Sequence, residues 1–394
     1  MSPERLIQPR MKGFVSLDSH PAGCRANVEA LVTKLERRDG TMGPVVVVGS
    51  STGYGLATAV VAAFAYGAPV VGVCLERPAE RARTASAGWY NVAALHDAAR
   101  REGARITTIN ADCFAPATKA AVAEQLEAHM GPAELLVYSV AAPVRVDPAT
   151  GARYRSVIKP IGSPLLTKTV NLDTGALAEM LLEPASPEEI EDTRRVMGGE
   201  DWADWIAALG ARGVLADDFR TVAYSYVGSE LTAGIYRSGT IGAAKEHLEK
   251  TALELAGDLD SRAYTSVNGA VITQASAAIP GLALYISLLL AAARDSGVQV
   301  EDTADQALRL FDDHLGPGRR AAVDRSGRIR LDDWEMEPGF QAELARRWAE
   351  VNPDNFARLG DFGSFRAGFR HLFGFDVEGV DYQRPVEVNL TWET

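Results

Sequence analysis

Cysteine is scarce in this chain: three residues in 394, Cys24, Cys74 and Cys113, each far from the others. So sparse a set cannot staple a secreted fold or build a zinc cluster, and it predicts a reducing, cytoplasmic setting. Histidine is no better arranged. His20, His96, His129, His247, His314 and His371 form neither an HExxH pair nor any close spacing, so no metal is expected. Long apolar runs are missing too. The nearest candidate, Ile279 to Ala293, is fifteen residues long and is interrupted by Gly281, Tyr285 and Ser287. A bilayer core asks for about twenty, so this stretch predicts a buried helix and no membrane span. Met1 to Ile7 lack the charged-then-apolar pattern of a secretory signal. Dense positive charge is absent as well. Forty Lys and Arg face 52 Asp and Glu, a net charge of −12 with no basic run. A general nucleic-acid or acidic-lipid surface is thereby excluded, though a small basic pocket for a cofactor or thioester is not.

What is present is an enzyme-like composition, 47% apolar and 23% charged, on a chain long enough for a large core. Its most informative stretch is Val45-Val46-Val47-Val48 running into Gly49-Ser50-Ser51-Thr52-Gly53-Tyr54-Gly55. A small-residue helix, Leu56 to Ala65, follows, and then a second strand, Val70 to Leu75, ending on Glu76. Strand, glycine turn, helix and strand in this order predict a dinucleotide pyrophosphate seated on a helix N-terminus. The glycines depart from plain GxGxxG, so their placement between strand and helix carries the reading. Glu76 lies 21 residues beyond Gly55. A carboxylate there accepts the adenosine ribose hydroxyls and repels the 2′-phosphate of NADPH. A solvent-facing acid at a strand end is the plainer alternative, and Arg77 or Arg81 could pair with it.

Ile106 to Ile109 and Leu135 to Val140 add two more strands, with helices over residues 25–36, 90–102 and 116–129. Four βα units at this spacing predict an enlarged Rossmann-type, doubly wound parallel sheet with helices on both faces. Residues 45–143 form its main nucleotide-binding half, within a single enlarged domain spanning 1–394. Residues 144–220 read as a β-hairpin and helical insertion: Val157 to Gly162 and Lys168 to Gly175 suggest strands and a turn. Ser186-Pro187-Glu188-Glu189 predicts a capped helix start. Thr221 to Val227 and Tyr264 to Val267 return to strand periodicity, with Val271-Ile272 as the exit, in a catalytic and substrate-binding half over 221–300. Residues 301–394 read as a helical C-terminal cap, with a hairpin-like segment into Ile329 to Leu331.

Tyr236 and Lys245, nine positions apart, are the sharpest chemical pair. A hydride acceptor needs a donor beside the atom that becomes negative. A tyrosine supplies that proton, while a nearby ammonium favours phenol ionisation and binds nicotinamide ribose. Nine positions do not align on one helix, so a break at Ser238-Gly239 is expected, with a helix starting near Thr240. Tyr226 offers a second phenol. Both tyrosines could equally be packing residues, with Lys245 extended to solvent.

Several motifs together resemble the trans-2-enoyl-CoA reductase / FabV-type enoyl-acyl-carrier-protein reductase family, across nearly the whole chain. They are His20 to Cys24, Ser50 to Leu56, Gly88 to Asn91, Tyr138 to Pro143, Met197 to Trp202 and Ala223 to Gly228. Tyr236 with Lys245, Thr273 to Pro280 and Leu331 to Glu335 complete the set. The resemblance implies NADH-dependent reduction of the C2–C3 double bond of trans-2-enoyl-CoA or enoyl-acyl-carrier-protein, without flavin or metal. It implies nucleotide contacts at Gly49, Ser50, Ser51, Thr52, Gly53, Tyr54, Leu75, Glu76, Asp112, Cys113, Val140, Ala141, Lys245, Val271, Ile272 and Thr273. It also implies a thioester-contacting Tyr226 and a proton-donating Tyr236. The molecule is expected to be a monomer or weak homodimer.

Three places depart from the family pattern. Ala233-Gly234 stands where Trp-Pro is common, Ser238 where Asp is frequent, and Gly269 where Lys is frequent. The smaller pair predicts a changed acyl pocket rather than lost hydride chemistry. A short-chain ketone or alcohol dehydrogenase and a noncatalytic NAD(H) sensor are the alternative readings.

Overall fold

Valine alternation decides the centre of the molecule. In the computed structural model, which describes residues 4–81, 83–260 and 262–392, Val45–Val48 forms a strand, β1, with all four side chains buried. Val45 and Val47 pack with Leu56, Val60, Leu135 and Phe311, while Val46 and Val48 pack with Val71, Leu136, Trp202 and Trp205. Successive strand side chains point to opposite faces, so this run needs cover on both sides.

Six further strands join it: β2 (Val70–Cys74), β3 (Ile106–Asn110), β4 (Ala133–Tyr138), β5 (Leu215–Ser225), β6 (Ala263–Val267) and β7 (Arg328–Arg330). Their lateral order is β3-β2-β1-β4-β5-β6-β7, and every neighbouring pair is parallel. The doubly wound sheet is therefore the one expected. Strand order reverses between β1 and β4, the place at which doubly wound sheets carry their ligand crevice, outside the C-terminal ends of the strands.

Three expectations need correction. Val157 to Gly162 forms no strand and makes only an isolated bridge from Pro160 to Gly239, since Pro160 and Gly162 break any run of pairing. Ile329 to Leu331 is no hairpin: Arg328, Ile329 and Arg330 pair in parallel with Thr265, Ser266 and Val267 as the sheet's edge strand. One buried isoleucine between two arginines carries too little alternation to announce a strand, and only its neighbour β6 decides. β5 also begins earlier than expected, at Leu215. Asp217 and Asp218 interrupt its apolar alternation, and its register on β4 shifts between Leu215 and Arg220. Tyr226 and Val227 fall just past its end.

Between β4 and β5 lie two hairpins, Val144–Val146 with Arg153–Arg155 and Leu165–Val170 with Leu177–Leu182. The helix Pro187–Met197 then starts on the expected capping box, Ser186 accepting from the Glu189 amide while Glu189 reaches back to the Ser186 amide. The next helix, Glu200–Ala211, carries Trp202 and Trp205 onto the sheet. A buried Lys119–Asp201 pair at 2.7 Å, with the Tyr138 hydroxyl donating to Asp201 at 3.0 Å, fixes its start. This part of the segment is thus the crossover into β5. The apolar run expected as a buried helix is Leu282–Ser296, packed against helices Pro338–Glu350 and Phe362–His371 through Leu344, Phe365 and Phe369. Among the described residues no helix is long and apolar enough to cross a membrane.

Candidate active site

The glycine turn is folded onto itself at the strand-order reversal. Gly49 leaves β1 with φ of 92°, and a Cβ there would stand 2.3 Å from the Ser139 carbonyl oxygen. A Cβ on Gly55 would stand 1.9 Å from the Gly49 oxygen. Only hydrogen fits at either place. The helix Gly53–Val60 follows, and Thr52 at its N-cap makes no side-chain capping bond. Its first-turn amides are therefore left for an anionic ligand.

Ser50 is buried, its hydroxyl directed to the Val73 carbonyl at 3.3 Å. Ser51 donates to Glu76 at 2.6 Å, and Ser86, the N-cap of the helix Ala87–Glu102, donates to the other Glu76 oxygen. Gly88 packs directly on this carboxylate, since a Cβ there would come within 2.1 Å of it. Glu76 thus stands between the glycine turn and the next helix start, with Leu75 exposed beside it. Asn110, which the sequence did not single out, holds the Glu76 backbone from both sides, accepting from its amide at 2.7 Å and donating to its carbonyl at 2.9 Å. Asp112 follows β3 and accepts from the Phe114 amide at 3.0 Å. Burial pushes the neighbouring Cys113 thiol up to about 12, which removes it as a nucleophile.

Val140 and Ala141 follow β4, across the strand-order reversal from the glycine turn. Thr273 caps the short helix Gln274–Ala278, and its methyl lies 3.8 Å from where a Gly53 Cβ would be. That contact brings the Val271-Ile272-Thr273 segment over the glycine turn. Tyr54 is committed elsewhere, its hydroxyl donating to the Gly269 carbonyl at 2.7 Å. A dinucleotide fits this rim: glycines without room for a Cβ, open helix amides, and a carboxylate beyond them.

The reacting end is built from side chains. Tyr236 closes the turn Ala233–Tyr236, and the helix Thr240–Asp258 begins after the expected break at Ser238-Gly239. The Tyr226 and Tyr236 rings meet edge to face, 4.7 Å between centroids at 81°. The Lys245 ammonium donates to the Tyr224 carbonyl at 3.2 Å, two residues before Tyr226. Burial brings Lys245 down to about 8. Burial likewise raises Tyr226 and Tyr236, with Glu335 the next cause for both, so both phenols keep their protons at rest.

Glu335 ends one of the motifs that carry the family resemblance, but nothing in the sequence assigned it a role. Its carboxylate is fully buried and accepts from the Tyr226 hydroxyl at 2.8 Å, the Tyr285 hydroxyl at 2.7 Å and the Ala270 amide at 2.6 Å. A tyrosine interrupting an apolar helix was the one local signal for Tyr285. No spacing rule points to Glu335, which reaches the tyrosines from beyond β7. Beside the Tyr236 turn lies a cavity of about 250 Å³ lined by Leu165, Lys168, Leu231, Gly234, Ile235 and Trp348. A Cβ on Gly234 would stand 2.7 Å from Leu165, so the hairpin leans into the space this glycine leaves.

Comparison with known proteins follows the same geography. Residues 6–81 match the NAD(P)H binding domain of trans-2-enoyl-CoA reductase, residues 83–315 its catalytic region, and residues 323–386 the enoyl reductase FAD binding domain. The chain is 45% identical over 383 residues to the NADH enoyl-[acyl-carrier-protein] reductase of Flavobacterium johnsoniae, covering 96% of each. It is 44% identical over 388 residues to the trans-2-enoyl-CoA reductase of Euglena gracilis, covering 98% of this chain and 72% of that one. The crystal structure of Treponema denticola trans-2-enoyl-CoA reductase in complex with NAD superposes with a TM-score of 0.93 at 39% identity, over 99% of this chain and 100% of that one.

Residues 323–386 do not fit a flavin dinucleotide. The N-termini of Pro338–Glu350 and Phe362–His371 are already filled by the carboxylates of Glu337 and Asp361, which would repel a pyrophosphate. Phe340, Phe365, Phe369 and Phe373 are buried in the core that includes the helix Leu282–Ser296.

Proposed function

This chain belongs to the trans-2-enoyl-CoA reductase family, and on that premise we propose how its site divides the work. The protein is an NADH-dependent reductase of the C2–C3 double bond of trans-2-enoyl thioesters, yielding saturated acyl thioesters. NADH, when bound, supplies the hydride that adds to the β-carbon. Negative charge then develops on the α-carbon and thioester oxygen. Tyr226 hydrogen-bonds that oxygen, and Tyr236 gives up its phenol proton to complete the reduction. Proton and hydride together account for both added hydrogens. Lys245 holds the nicotinamide ribose and favours reprotonation of Tyr236. Gly49 to Gly53 and the amides after Thr52 take the pyrophosphate, and Glu76 takes the adenosine ribose. Asp112, Cys113, Val140, Ala141 and Val271 to Thr273 line the remaining nucleotide path.

The observation that carries this reading is the Tyr226–Tyr236 pair, 4.7 Å apart by centroids, just past β5 at the strand ends where the glycine turn also sits. Both groups lie at the C-terminal ends of the sheet strands, the end at which such folds bring cofactor and substrate together. The acyl chain is assigned to the cavity beside Gly234, whose mixed lining of Leu165, Ile235 and Lys168 suits an apolar tail near a polar carrier. Coenzyme A and carrier protein present the same thioester, and relatives named for each support both. The test is NADH oxidation across crotonyl-CoA, longer enoyl-CoAs and enoyl-carrier-protein, with product identification. A saturated acyl thioester is expected. Reduction of a ketone instead, or NADH binding with no turnover of any enoyl thioester, would overturn the reading.

A further inference from the structure

Glu335 is a buried carboxyl that accepts from two phenols and one amide, and no ion pair to it is found among the described residues. A buried anion without a cation is costly, so its protonation state has a function to explain. Tyr226 has one proton. While that proton is donated to a Glu335 carboxylate, the phenol offers a substrate oxygen only lone pairs, which repel a developing enolate. A neutral Glu335 reverses the chain. Its own hydroxyl points at the Tyr226 oxygen, and the Tyr226 proton turns toward the thioester. The neutral acid also removes a negative charge from the neighbourhood of the enolate.

We propose that Glu335 is the positioning residue for Tyr226 and works as the neutral acid, aiming the Tyr226 hydroxyl at the thioester oxygen. This rests on the role assigned to Tyr226 above. Tyr285 holds the carboxyl from the helix Leu282–Ser296 and is itself steadied by Gln341, which donates to its hydroxyl at 3.1 Å and to the Glu335 carbonyl at 2.7 Å. The other titratable groups around it are Tyr236, Tyr54 and Asp332. Asp332 is paired with Arg330 at 2.7 Å. Burial pushes the Glu335 carboxyl up to about 7 against the pull of its Tyr285, Tyr226 and Ala270 donors. The active neutral form is therefore present below that pH and is lost as pH rises through it.

The experiment is the pH profile of kcat/KM for the full-length Glu335→Gln, Glu335→Ala and Tyr226→Phe enzymes, with NADH affinity followed by fluorescence titration. Glutamine is permanently neutral and carries a donor in the same place. At pH 6 it should keep activity within about threefold, and the alkaline fall of the parent enzyme should vanish or move up by about one unit or more. Below pH 7 Glu335→Ala should lower kcat/KM about 10- to 100-fold with NADH affinity retained, and the gap should close as the parent enzyme loses its neutral carboxyl at higher pH. Adding Glu335→Gln to Tyr226→Phe should move rate and profile much less than it does in the parent, because only the charge effect of the carboxylate remains. An unmoved alkaline midpoint in Glu335→Gln would overturn the proposal, because an anchoring role alone leaves the midpoint in place. So would a loss of about 100-fold at pH 6 with NADH binding intact. Failure of the underlying mechanism shows separately, as undiminished turnover in Tyr226→Phe.

Discussion

The nucleotide rim and the tyrosine end of the crevice are built in opposite ways. At the rim, neighbouring turns fit backbone against backbone, Gly49 against Ser139 and Gly55 against Gly49, and Gly88 lets its helix sit on the Glu76 carboxylate. At the other end, Tyr226, Tyr236, Tyr285 and Glu335 meet through side chains drawn from over a hundred residues of chain, Tyr226 and Glu335 being 109 positions apart. The difference separates binding from chemistry. A rim made of backbone holds what every dinucleotide shares, while a cluster of buried phenols and a carboxyl is tuned by burial and neighbours. Substitutions at one end should therefore change affinity and those at the other turnover.

Tyr236→Phe offers the largest break in that division. It keeps the ring against Tyr226 and deletes the proton, so kcat should fall about 100- to 10,000-fold, or about 3–5 kcal/mol, with NADH affinity nearly unchanged. Near-parental single-turnover reduction would show that another group donates. Gly49→Ala attacks the rim. A Cβ 2.3 Å from the Ser139 oxygen, at a φ that disfavours side chains, should destabilise the fold by about 1–3 kcal/mol and weaken NADH binding at least about tenfold. Thermal unfolding and NADH titration measure both, and unchanged affinity would remove the glycine turn from the binding site.

Smaller effects sharpen the comparison. Glu76→Ala should raise the ratio of NADPH to NADH kcat/KM about tenfold by removing like-charge repulsion, with less effect on NADH itself. A constant ratio at fixed ionic strength would leave Glu76 with only its Ser51 and Ser86 bonds. The smallest expected change follows from placing Trp-Pro at Ala233 and Gly234. Any side chain at 234 must displace Leu165, so the pocket should shrink and preference should move toward short enoyl groups. The gradient should be up to about fourfold per methylene, from about 0.8 kcal/mol of buried CH₂. A uniform rate change with the same substrate ranking would reject the pocket assignment.

Local pattern alone determined the rim and most of the sheet. Four valines, a glycine turn and a carboxylate at the next strand end lie within 32 consecutive positions, 45–76. Strand alternation and turn sterics act over just that range, so the sequence specifies both the fold class and the proposed nucleotide site. The break before Thr240 was legible for the same reason: nine positions cannot share one helix face. Tertiary structure alone decided the rest. β7 became a strand because β6 offered an unpaired edge, and Leu165 entered the space beside Gly234 because a hairpin folded over it. Glu335 joined the tyrosines because the sheet brought distant loops to one rim. Its raised pKa is a property of that burial, which no spacing along the chain encodes, since desolvation depends on everything packed around a group.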